Sequence, residues 1–140
     1  MKSFLLLGFS FFLALRSFAQ DSWKITLNEK NIFNAKTENE EKNIVKIRSS
    51  DLQKKKEFVL IYTEKPKKTD WTRSVMIVGE NDHELLREEG SKIKIKNAGL
   101  DSLFAKSKTL RIYTISLPKD PAKRATVRVR RVHLCTLVKG

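Results

Sequence analysis

Short alternations of apolar and polar residues, each cut off by a polar turn after about ten residues, constrain this chain more than any other feature. Trp23 to Leu27 alternates cleanly, which in a strand sends one set of side chains inward and the other to water. A turn over Asn28 to Asn31 leads to a second short strand at Ile32 to Lys36, and a polar, acidic loop follows over Thr37 to Lys42. Further strands are expected at Ile44 to Arg48, Phe58 to Thr63, Trp71 to Val78, Glu84 to Arg87, Lys92 to Lys96 and Leu110 to Leu117. The run Phe58 to Thr63 (FVLIYT) is apolar on both faces, which places it centrally in a sheet. Lys92 to Lys96 (KIKIK) puts lysines on one face and isoleucines on the other, the pattern of an edge strand guarded against self-pairing.

Two stretches depart from simple alternation. Leu100, Leu103 and Phe104 recur at helical spacing within Asn97 to Lys106, so one short amphipathic helix with Asn97 as its cap is expected to bridge two sheets. Ala125 to Val138 reads as a long last strand whose buried face changes: Val127 and Val129 share one face, Val132 and Leu134 the other. A strand cannot switch faces without an extra residue, which predicts a bulge near Arg130-Arg131. The sum is an all-β, antiparallel β-sandwich with immunoglobulin-like Greek-key connections, seven to nine strands and one short helix between late strands.

Residues 1–19 stand apart. Lys2 precedes the apolar run Phe4 to Leu15, and Ser17-Phe18-Ala19 supplies the small residues a signal peptidase reads. A helix of that run spans about 18 Å, short of the roughly 30 Å hydrocarbon core of a bilayer. The segment therefore reads as a cleavable export signal, and residues 20–140 as one sandwich domain with no transmembrane segment, periplasmic or secreted. The single cysteine, Cys135, excludes an intrachain disulfide. Export without disulfides and without an Asn-x-Ser/Thr sequon suits a bacterial envelope better than a eukaryotic secretory route.

The chemistry on offer is limited. The chain has two histidines, His83 and His133, five glycines, and neither a phosphate-binding loop nor a nucleophile elbow. Adjacent carboxylates such as Glu88-Glu89 face opposite ways in a strand and cannot share a proton. A non-enzymatic protein without a cofactor is expected. His133-x-Cys135 is the sharpest local pair, because a spacing of two on a strand puts imidazole and thiolate on one face, within reach of one metal ion. The competing reading makes Cys135 a small buried hydrophobe.

Charge is the stronger lead. The formal charge is +13, and removal of Lys2 and Arg16 with residues 1–19 leaves +11. Such a surface attracts polyanions, and an exported protein meets anionic envelope polymers rather than nucleic acid. Lys119, Lys123, Arg124, Arg128, Arg130 and Arg131 form the expected anion-binding group, with Arg128 and Arg130 on one strand face. Lys54 to Lys56 with Lys65, Lys67 and Lys68 form a second group at the two ends of the Phe58 strand. Trp23 and Trp71 each open a strand, where an indole serves either as a sugar-stacking platform or as a plug for the core. The function expected is a binding protein of the bacterial envelope contacting anionic surface polymers through a basic C-terminal strand. The alternatives are an assembly subunit whose partner is another envelope protein, and a metal-binding protein using His133 and Cys135.

In layout the chain resembles small exported bacterial β-sandwich proteins. The resemblance rests on the export signal, the opening Trp23 strand, the FVLIYT strand, the bridging helix and the tract from Ile112 to Cys135. It carries no functional motif and so transfers no active residue. It implies an immunoglobulin-like fold, in which the inter-sheet disulfide would be absent here.

Overall fold

A computed structural model describes residues 20–140; the segment that reads as an export signal lies outside them. The described residues form nine strands, three α-helices and one 3-10 turn at Glu80–Asp82: β1 Ser22–Leu27, β2 Lys30–Ala35, β3 Ile44–Ile47, α1 Ser49–Leu52, β4 Glu57–Thr63, β5 Trp71–Val78, β6 Glu84–Glu89, β7 Lys92–Lys96, α2 Asn97–Lys106, β8 Thr109–Pro118, α3 Pro121–Arg124 and β9 Val132–Lys139. They build a β-sandwich. One sheet has the order β2-β1-β4-β7 and the other β3-β9-β8-β5-β6. Every pairing is antiparallel except that of β3 with β9, which is parallel. The chain changes sheet after β2, β3, β4, β6 and β7, and α2 carries the crossing from β7 to β8. No helix among the described residues is long and apolar enough to cross a membrane.

The core is made by the inward halves of the alternations. Trp23, Ile25 and Leu27 of β1, Phe58 and Leu60 of β4, and Ile93 and Ile95 of β7 meet Val75 and Ile77 of β5, Leu110 and Ile112 of β8, and Leu137 of β9. β7 is an edge strand, as its lysine–isoleucine alternation predicts, with both isoleucines buried and all three lysines exposed. β4 is central, but only its inward face is fully buried: Val59 and Ile61 remain half-exposed. Their cross-strand neighbours are Lys94 and Lys92 of β7 and Thr26 and Lys24 of β1; the lysine stems flank apolar surface while their heads stay in water.

Three local expectations are corrected. Asn97 is not a helix cap: Lys96 occupies that position without a side-chain bond, and Asn97 is the first residue of α2, 1% exposed. Its amide nitrogen lies within hydrogen-bonding distance of Asn28 Oδ1 (2.7 Å) and the carbonyls of Asp51 (3.0 Å) and Lys54 (2.9 Å), tying three chain segments together. The last strand begins at Val132, not Ala125. Asp120 accepts from the Ala122 N–H and Pro121 follows it, which starts α3, and residues 125–131 are irregular. The face change therefore falls at Leu134, where Ile112 pairs with Cys135 and Tyr113 with His133, leaving Leu134 as the additional residue. The carbonyl of Leu134 accepts the Trp23 indole N–H at 2.9 Å, so this bulge is fastened to the opposite sheet.

Candidate anion-binding site

At one end of the sandwich, β4 runs out at Thr63, β5 begins at Trp71 and β8 ends at Pro118, which pairs with Trp71. The Lys119 N–H then donates to the Asp70 carbonyl at 2.9 Å, so the loop after β4 and the turn after β8 lie side by side. Lysines far apart in the chain thus meet here: Lys67 and Lys68 from the first loop and Lys119 from the second line one open cleft of about 530 Å³.

The floor of the cleft is built from buried aromatic and charged groups. Trp23 stacks on Tyr62 with ring centroids 5.8 Å apart, and the Arg73 guanidinium lies 4.3 Å from the Tyr62 centroid on the cleft side. Arg73 shares the inward parity of Val75 and Ile77 on β5, so its charge needs partners. It finds them in Glu64, at 3.4 Å with both side chains under one-sixth exposed, and in Thr114 Oγ1 at 3.0 Å. Burial, helped by the hydrogen bond to Asp21, pushes the Tyr62 phenol well above its usual range, so it stays a neutral donor to Asp21 at 2.5 Å.

Of the carboxylates at this end, Glu89 lines the cleft without an ion pair among the described residues, while three others bond to backbone N–H groups nearby. Asp21 also accepts from the Lys65 N–H, Glu64 from the Lys68 N–H, and Asp120 from the Ala122 N–H. By contrast, no ion pair among the described residues engages the ammonium groups of Lys65, Lys67, Lys68, Lys119 or Lys123. Lys68 instead hangs over the Trp71 ring at 4.9 Å. The two tryptophans divide the two roles open to them: Trp23 is a core residue at 4% exposure, and Trp71 is a half-exposed wall of the cleft.

The six basic residues expected to act together are distributed over two regions. Lys119, Lys123 and Arg124 belong to this end, with Arg124 Nε bonded to the Pro118 carbonyl at 2.6 Å. Arg128 and Arg130 lie in the irregular segment, not on a strand face, and β9 itself holds no arginine. Arg130 meets Glu38 at 2.8 Å. Arg131 meets Asp82 at 2.7 Å and covers the Tyr113 ring at 4.1 Å. Their hydrogen bonds hold both acids below the usual carboxylate range; at Glu38 the bonds from Arg130 and the His133 N–H outweigh the opposing effect of burial. Of the second basic group, Lys54 to Lys56 sit at the far end of the sandwich, around a separate cleft beside Asn97.

His133 and Cys135 do not share a face. The bulge at Leu134 turns Cys135 inward beside Ile112, where burial pushes its thiol up. His133 faces the other way, edge-on to Tyr113, with Nε2 2.9 Å from Thr136 Oγ1. The pair therefore cannot hold one ion, and the described residues contain no cluster of three or more metal-ligating side chains. Arg73 and Glu64 escaped the sequence reading. An arginine at an inward position of an otherwise apolar strand is the signal that marks them. No protein-family model matches the chain, and no curated protein matches it.

Proposed function

We propose that this is an exported, non-enzymatic binding protein of the bacterial envelope, periplasmic or secreted, that contacts an anionic surface polymer with the basic end of its sandwich. The observation that carries the reading is the gathering of Lys67, Lys68 and Lys119, without ion-pair partners among the described residues, around one cleft. Cations already neutralised, such as Arg130 and Arg131, contribute less to attracting a polyanion than cations that stand free. Residues 1–19 supply the address, and the address favours envelope polymer over nucleic acid. The connectivity fits an immunoglobulin-like reading, with β7, β4 and β1 in one sheet, β3, β9, β8, β5 and β6 in the other, and α2 linking them.

Retention on immobilised heparin and on lipid A tests this reading. The protein should bind at low salt and elute early as salt rises, because counterion release dominates such contacts. Lys67→Glu with Lys119→Glu should elute at clearly lower salt than Lys54→Glu with Lys55→Glu, which changes charge equally at the opposite end. Equal elution of the two variants sinks the proposed surface.

An assembly subunit of the envelope is the second reading, supported by exposed Ile32 and Ile44 on the edge strands β2 and β3. Unpaired strand edges can add a strand from another chain. Concentration-dependent association that persists at high salt would favour it.

A further inference from the structure

The cleft at the basic end has one feature that charge alone does not call for. Trp71 stands half-exposed in its wall, although its partner in the sequence pattern, Trp23, is consumed by the core. The Trp23 indole N–H is spent on Leu134. The Trp71 indole has no hydrogen bond among the described residues, and its backbone opens β5 opposite Pro118. At about 530 Å³ the cleft falls within the roughly 300–1,000 Å³ of ordinary small-ligand sites.

From this we infer that the cleft is a saccharide subsite, taking a pyranose ring that carries a carboxylate or a phosphate. This inference rests on the anionic-polymer reading above and names the chemical unit that the site would recognise. The apolar face of a pyranose packs on an indole as any flat C–H surface does on an aromatic ring, and Trp71 is the wall that offers one. The anionic substituent meets Lys67, Lys68 and Lys119. Lys68 lies 4.9 Å above the same indole; its flexible stem swings off that face when a pyranose stacks there, which leaves the ammonium beside the ring to meet its anionic substituent. Hydroxyls of Thr72 and Ser91 line the same cleft and match sugar hydroxyls.

The floor contributes rigidity rather than charge. Arg73 is neutralised by Glu64 and fixed by Tyr62 and Thr114, so the groups beneath the ligand are already ordered. A site arranged before binding loses less conformational freedom when occupied. A single-stranded nucleic acid calls for several stacking aromatics along a groove, whereas this cleft has one half-exposed indole.

Calorimetric titration and tryptophan quenching of residues 20–140 with five probes test the inference: tetragalacturonate, glucose 6-phosphate, maltotetraose, polyphosphate and poly-glutamate. Tetragalacturonate or glucose 6-phosphate should bind and protect Trp71 from acrylamide, and whichever binds more tightly identifies the substituent as carboxylate or phosphate. Trp71→Ala and Lys119→Ala should each weaken that binding about tenfold, whereas polyphosphate binding should respond to Lys119→Ala alone. Maltotetraose should not bind. Since Trp71→Ala could disturb β5, Trp71→Phe, with a circular-dichroism spectrum like that of the parent, should lose part of the affinity. Sugar-acid binding unaffected by either Trp71 variant overturns the inference, as does Trp71-dependent binding of poly-glutamate that is tighter than that of the sugar acids. Either result leaves the anionic-polymer reading standing. Absence of salt-sensitive binding by every anionic probe removes that reading together with the inference.

Discussion

Burial of the His133 imidazole depresses its pKa from 6.5, against the opposing pull of Glu40 and Glu38 and with that of Arg111. The neutral ring is thereby favoured in the folded chain. An unfolded chain takes up the proton at higher pH, so the stability associated with a neutral His133 is complete above pH 6.5 and is lost as pH falls toward the folded value. Glu38, also lowered, adds a second loss deeper in the acid range, when the carboxylate that joins Arg130 to the His133 N–H is protonated. Thermal melting from pH 7.5 to 5 should show Tm falling with pH, and His133→Gln should flatten that slope whatever its own Tm. An unchanged slope would assign the effect elsewhere. Asn97 is a second residue with consequences beyond its size. Asn97→Ala removes the donor shared by Asn28 and the carbonyls of Asp51 and Lys54, and should cost about 1–3 kcal/mol in urea unfolding. Its identity as a buried clip could not be read from its place before a helical pattern, because an asparagine there normally caps.

Among the elements, β9 depends most on something outside itself. The bulge at Leu134 frees a carbonyl that Trp23 satisfies from the other sheet. Trp23→Phe keeps a ring against Tyr62 but leaves that carbonyl without its donor, and should cost about 1–3 kcal/mol by equilibrium unfolding. A loss no greater than that of an exposed substitution would mean the bulge is held by other contacts. The alternation in the last strand announces that a slip must occur, since valines change face within one run. Its position was not legible. Arg130-Arg131 breaks the pattern most visibly, but the register with β8 sets the slip at Leu134, and the residues ahead of Val132 form no ladder at all. β7 is the opposite case: Ile93 and Ile95 between three lysines specify an edge strand with one wet face, and that is the strand observed.

For the whole molecule, the closed core governs access to the only thiol. Cys135 is fully buried between the sheets and its pKa is raised by that burial, so thiolate is scarce and shielded. Alkylation of native protein should be slow and should accelerate through the same urea range in which the fold is lost. Fast labelling without denaturant would mean that the sheets open locally at β9. The period of two in β1 and β7 and the helical spacing of Leu100, Leu103 and Phe104 were determined by the sequence alone, because which face a side chain takes follows from local backbone geometry. From those faces come the strands, the helix between late strands and a sandwich with a dry interior. Which strands adjoin is a different kind of information, since many pairings bury the same faces equally well. Tertiary structure alone set β3 parallel to β9, brought Lys67 and Lys68 beside Lys119, gave Arg130 and Arg131 their carboxylates, and turned His133 away from Cys135. Charge pairing and register act between residues far apart in the chain, and no local pattern records them.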